Sequence, residues 1–238
     1  MWEWLFASID PSRGHEVSGA VAWHARGMTL AWALMAPSFV LIARFLKVTP
    51  RQDFPRELDN QFWWKSHLHG QIFVLALTLV AFALALFARS GQIGLHGVLG
   101  YAVMAGLALQ VGLGFARGTK GGPTDLAADG SPRGDHYDMT RWRVTFEHLH
   151  KAVGYATLAT AAAAILAGLW LSNAPRWMWL VILVWWVALI CAFVVLQRRG
   201  WAIDTYAAIW GTDPQHPGNR RPTPGWGMRR PDQHQPGE

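Results

Sequence analysis

The stretch LHGVLGYAVMAGLALQVGLGF, residues 95–115, decides how the rest of the chain is read. It is almost wholly apolar and carries one imidazole, His96, close to its start. About 20 such residues cross a bilayer as a helix. A polar group in lipid is costly and tends to mark a site or a pathway. Three other apolar spans also begin within a few residues of a histidine: His24, His67 and His150.

Working outward, the apolar spans run over about 21–46, 66–88, 95–116, 148–171 and 177–197. The expected fold class is an all-α integral membrane protein with five transmembrane helices, the first four forming a haem-binding bundle. Pro37 lies inside the first span, where it should kink the helix or release a carbonyl that a neighbour satisfies. The link at 89–94 is short, so the second and third spans form an antiparallel hairpin. Residues 118–146 are the longest internal loop and contain Pro123 and Pro132. Residues 1–20 are too interrupted to span and, with Trp2, Trp4, Leu5 and Phe6, suit the membrane interface. Domain organisation is therefore an interfacial segment at 1–20, a transmembrane domain at 21–197, and a segment at 198–238. Within the last, 200–211 reads as an interfacial helix and the Pro-, Gly-, Arg- and Gln-rich remainder as disordered.

Composition agrees. The chain has 238 residues, 52% of them hydrophobic and 15% charged, with 15 Trp. Its net charge of +6 comes from loops and tail, so no nucleic-acid partner is expected; the partner surface is the lipid bilayer. The single cysteine, Cys191, excludes an intrachain disulfide, and the absence of CxxCH excludes covalent c-type haem attachment. The N-terminus lacks the order of a cleaved signal peptide. Basic residues gather at the first-to-second link (Lys47, Arg51, Arg56, Lys65, with Arg44 at its edge), at the third-to-fourth loop (Arg117, Lys120, Arg133, Arg141, Arg143), and after the fifth span (Arg198, Arg199). The other side has Arg89 and Arg176 in its links and Arg13 and Arg26 at the N-terminal end. Positive-inside then puts the N-terminus outside and the C-terminus in the cytoplasm. An inner (plasma) membrane of a bacterium is the expected location.

Each of four successive spans begins with its histidine, and the spans alternate in direction. His24 and His96 are therefore expected near the outer face, and His67 and His150 near the cytoplasmic face. Two facing imidazoles are an axial pair for a non-covalent b-type haem, so two stacked haems b are expected, with all four histidines as metal ligands. Gly27, Gly70, Gly100 and Gly154 follow the histidines by three or four residues and share their helix faces. They leave room for a macrocycle or, in the competing explanation, for a packed helix. His69 and His148 lie two residues from the preferred positions. His15, His136, His216 and His234 read as surface residues.

At these residues the chain resembles the cytochrome b561 family, and in particular the membrane core linked elsewhere to DOMON domains. HARGMTLAWALMAPSFVLIARFLK (24–47), His67 with Gln71, GLHGVLG (94–100) and HKAVGY (150–155) carry the likeness, which covers roughly 21–196. It favours His67 over His69 and His150 over His148. GLHGVLG departs from the family's SLHSWLG at three positions, and no DOMON segment is present. The resemblance implies one-electron transfer from a cytoplasmic reductant such as ascorbate to an outer ferric chelate or radical, an oxidoreductase role without catalytic residues in the acid–base sense. Cofactor-binding candidates are the four histidines with Gln71, Arg26, Gly100 and Gly154. Arg44, Lys65, Arg141, Arg143 and Lys151 form the candidate inner substrate site, although positive-inside charge alone explains these five. The alternatives are an anchor subunit exchanging electrons between quinone and a soluble redox protein, a metal transporter, and a structural adaptor. The sequence admits a homodimer.

Overall fold

The computed structural model describes residues 2–88, 92–119, 128 and 130–231. Arg89, Lys120, Pro123 and His234 lie outside the described residues. Among the described residues the secondary structure is helical, with two isolated bridges and no sheet. A short α1 (Trp2–Phe6) precedes a first span built from α2 (Gly19–Met28), a π-helical segment (Thr29–Met35) and α3 (Ala36–Phe45). Then come α4 (Phe62–Ala88), α5 (Leu95–Phe115), α6 (Asp135–Asp138), α7 (Arg141–Leu171), α8 (Arg176–Arg198) and α9 (Thr205–Trp210), followed by a 3-10 turn at Pro217–Arg220. Five helices have the length and apolarity to cross a membrane: Gly19–Phe45, Phe62–Ala88, Leu95–Phe115, Arg141–Leu171 and Arg176–Arg198. Large apolar side chains such as Val80, Phe87, Leu109, Val184 and Ile190 stand exposed along them. Continuous apolar surface of that kind belongs against lipid. The protein is an all-α integral membrane protein.

The chain divides into two compact units. One comprises 1–40, 68–107 and 155–193; the other comprises 41–67, 108–154 and 194–238.

The first unit has a dry core of Ala31, Trp32, Ala33, Ala36, Val74, Val103, Leu107, Ala161, Ile165 and Ile182. Its small residues allow helices to approach closely. Pro37 explains the π-helical segment. Proline has no N–H to return to the carbonyl four residues back, which is that of Ala33. The Trp185 indole N–H takes that carbonyl at 3.0 Å. The backbone N–H of Ala36 reaches the Ala31 carbonyl, the five-residue spacing of a π turn. Trp32 donates its indole N–H to Thr78 Oγ1 at 3.0 Å, and that hydroxyl donates to the Val74 carbonyl at 2.6 Å. Buried Asn173 is one of the residues that tie down the N-terminal segment. Its amide accepts from the Asp10 N–H at 3.0 Å and donates to the carbonyls of Asp10 and Arg13 at 3.0 and 2.6 Å.

The second unit is smaller in apolar content. Its core is Met139, Tyr206, Ile209 and Trp210, with Trp63, Tyr137 and Val144 against it. Helix α7 begins at Arg141, seven residues before the 148 read from hydropathy, because Thr140 caps it: its Oγ1 accepts from the Arg143 N–H at 3.2 Å. A polar first turn, RWRVTFE, therefore extends the helix beyond its apolar run. The segment after Asp213 has the composition of a disordered tail, yet it carries the 3-10 turn and bonds through Arg230. Burial of α9 and the Arg230 guanidinium, which apolar counting does not register, holds it.

Candidate functional site

Within the first unit, His24 and His96 lie with ring centroids 5.9 Å apart and planes at 81°. His24 Nδ1 is 2.9 Å from the Ala81 carbonyl, and His96 Nδ1 is 2.9 Å from the Ala164 carbonyl. A carbonyl can only accept, so each Nδ1 is the donor, and in a neutral ring Nε2 keeps its lone pair. Such a second bond fixes both the tautomer and the ring orientation.

Within the second unit, His67 and His150 lie 6.1 Å apart at 83°, and Phe146 stacks on His150 at 5.4 Å. The His150 carbonyl accepts from Gln110 Nε2 at 2.7 Å. Each unit thus contains one edge-to-face imidazole pair. His69 is exposed, and His148 is exposed with its Nδ1 on the Val144 carbonyl at 2.8 Å.

The expected cofactors, two bis-histidine haems b, are corrected here. Among the described residues no group of three or more His, Cys, Asp or Glu side chains comes together that could hold a metal ion. The physical reason is composition: each span supplies one imidazole to its pair, and no thiolate or free carboxylate joins it. Glu147, the acid nearest His150 in sequence, is held by Lys151 at 2.9 Å and by Arg143 at 3.3 Å. The glycines also act differently from the expectation of cofactor room. A Cβ at Gly27 would meet Ala81 at 2.9 Å, one at Gly154 would meet Gln110 Nε2 at 3.1 Å, and one at Gly70 would collide with the Phe39 ring. At these three positions the missing side chain serves packing between helices. Gly100 alone of the four faces open space.

Gln71 is half-buried. Arg26 is exposed and lies over the Trp23 ring, 5.1 Å from its centroid. The basic residues separate into two groups. Lys65 and Arg141 are exposed. Arg44, Arg143 and Lys151 are engaged: Arg44 with Gln197 Oε1 at 2.8 Å and the Trp226 carbonyl at 2.7 Å, Arg143 with Glu147 and the Arg117 carbonyl, and Lys151 with Glu147 and the Pro224 carbonyl at 2.6 Å.

Sequence reasoning missed a buried polar cluster in the second unit. His136, read as a surface residue, is buried, and its Nδ1 accepts from the Trp210 indole N–H at 3.1 Å. That bond leaves His136 as the neutral Nε2–H tautomer, with Nε2 3.8 Å from Glu147 Oε1. Lys47 is 3% exposed and donates to the Ile203 carbonyl at 2.9 Å. Burial, seconded by the Lys151 ammonium, pushes Lys47 down to about 7, although Asp204 and Glu147 pull the other way. Burial also raises the Asp204 carboxyl, against the opposing Arg230 guanidinium 3.0 Å away. The Tyr206 phenol is pushed up to about 12, chiefly by burial. One signal was available: Arg143, Glu147 and Lys151 are spaced four apart and share a helix face.

No family model matches the chain, and neither a curated protein nor a solved structure does. What the fold and the site geometry establish together is an all-α, multi-spanning membrane helical bundle with one imidazole pair in each of its two units.

Proposed function

We propose that the protein carries single electrons across the membrane, taking them from a small anionic reductant on the cytoplasmic side and delivering them to an acceptor outside. One observation carries the reading. Four spans bring their histidines together as two pairs, one per unit, with centroids 5.9 and 6.1 Å apart. Imidazoles are costly in a membrane and are retained where a polar function needs them. For His24 and His96, backbone carbonyls hold the two rings in place. The resemblance of residues 21–196 to the cytochrome b561 core supports the same direction. The basic excess beside the first-to-second link, the third-to-fourth loop and Arg198 supports a cytoplasmic placement of the second unit. In the donor step, ascorbate gives one electron to the protein and releases a proton to the cytoplasmic water, becoming its radical. In the acceptor step, a ferric chelate gains that electron and becomes ferrous.

An anaerobic redox titration of the purified protein, followed by its absorption spectrum, tests the assignment. The parent should show a reversible one-electron transition. His96→Ala and His150→Ala should each impair that transition, while His69→Ala leaves it unchanged. A protein without any reversible transition is not an electron carrier, and the histidines then serve packing alone.

A further inference from the structure

The C-terminal stretch RPTPGWGMRR, residues 221–230, is unusual in what its backbone touches. The Pro224 carbonyl accepts from Lys151 Nζ at 2.6 Å, and the Trp226 carbonyl accepts from Arg44 Nη2 at 2.7 Å. The next carbonyl, that of Gly227, accepts from Gln197 Nε2 at 2.7 Å, and the Gln197 amide oxygen accepts in turn from Arg44. Two glycines make this approach possible. Gly225 and Gly227 have φ of +130° and +64°, a region that side chains disfavour. A Cβ at Gly225 would stand 3.0 Å from Lys151 Nζ, and one at Gly227 would stand 2.9 Å from Gln197 Nε2 and 3.4 Å from Arg44 Nη2.

The stretch is anchored beyond its contacts with the cations. The Arg229 N–H donates to the Ala202 carbonyl at 2.9 Å, and the Arg229 carbonyl accepts from the Asp204 N–H at 2.8 Å. Arg230 pairs with the buried Asp204 and donates to the carbonyls of Asn219 and Gly218 at 2.8 and 3.0 Å. Between the 3-10 turn and this anchor, residues 222–228 hold on chiefly through neutral carbonyls set against charged donors. Pro224 is buried, whereas Trp226 is 68% exposed and adds little to the hold.

We propose that residues 222–228 form an inhibitory strap, whose peptide carbonyls occupy Lys151 and Arg44 and withhold them from a small organic anion. The inference rests on the electron-carrier reading for the identity of that anion as the reductant. A neutral carbonyl gives a cation one hydrogen bond. An oxyanion offers these same ionised donors an opposite charge in addition to its acceptor lone pairs, so it displaces the strap while the anchor at 229–230 stays in place. Lys151 keeps Glu147 in both states.

The test uses the full-length protein and ascorbate as the probe. Gly225→Val detaches the strap without altering either cation. Ascorbate affinity, measured by equilibrium dialysis, should tighten about tenfold and return towards the parent value when Lys151→Gln is added. Amide exchange at 225–228 on the same samples verifies release, and Gly227→Val, which leaves the anchor at 229–230 intact, replaces the variant if release is incomplete. Equal affinity with the strap demonstrably released overturns the proposal, as does the absence of ascorbate binding in every form. Tighter binding without electron delivery to a ferric chelate leaves the strap standing and removes the electron-carrier reading.

Discussion

In the first unit, the polar side chains are tied by neutral hydrogen bonds: buried Trp32 to Thr78, exposed Trp185 to the Ala33 carbonyl, buried Asn173 to the N-terminal backbone. In the second unit the buried groups are charged. Glu147 is shared by Arg143 and Lys151, Asp204 is paired with Arg230, and Lys47 rests on a carbonyl. Both units hold an imidazole pair of nearly the same separation. The same pair is therefore built into two electrostatic settings, one of peptide and hydroxyl dipoles and one of ions. Burying ions without partners costs far more than burying dipoles. The second unit is thus the more sensitive to loss of a single partner.

The largest effect should follow Glu147→Ala, which leaves Lys151 and Arg143 without their carboxylate. Breaking a buried ion pair in this way costs roughly 3–5 kcal/mol, and thermal unfolding in detergent should show a correspondingly large drop. A loss no greater than that of an exposed substitution would erase the contrast between the units. Next comes Thr78→Val in the first unit, which strands the Trp32 indole N–H in the dry core. The expected cost is about 1–3 kcal/mol, read from the same melts. If Thr78→Val proves the more damaging of the two, the ranking of the units is reversed.

The third effect is graded by pH and sharpens the picture of the charged unit. Lys47 in the folded chain titrates at about 7, against 10.5 for the free side chain. Between these values the unfolded chain binds the extra proton, so stability rises as pH increases from about 7 towards 10. The rise is limited to about 1.4 kcal/mol per pH unit. Lys47→Met should flatten that rise when unfolding is followed at neutral and alkaline pH. An unchanged slope would place the titration elsewhere.

Sequence legibility followed the same division. The apolar spans, their alternation and the role of Pro37 depend on hydropathy and on proline's missing N–H, both local properties. The freed carbonyl anticipated at Pro37 is the one that Trp185 satisfies. The pairing of His24 with His96 and of His67 with His150 was the arrangement expected from helix direction. The charged cluster is harder to see, because Lys47, His136 and Asp204 are distant in sequence, the first two in loops and the third in the stretch that reads as an interfacial helix. The C-terminal stretch was misleading for a related reason. Its Pro and Gly content is that of a disordered chain, but Gly225 and Gly227 are the residues that let its backbone reach Lys151 and Arg44. The glycine spacing beside the histidines misled in the opposite direction, since three of those four positions are closed by neighbouring side chains.

The most direct measurement is electron flux across a sealed vesicle. Purified protein is reconstituted with ascorbate trapped inside and a membrane-impermeant ferric chelate outside, and ferrous product is followed with time. A rate well above that of protein-free vesicles, lost in both His96→Ala and His150→Ala but kept in His69→Ala, is the predicted result. A rate equal to that of empty vesicles, from protein shown to be folded and inserted, would contradict the account.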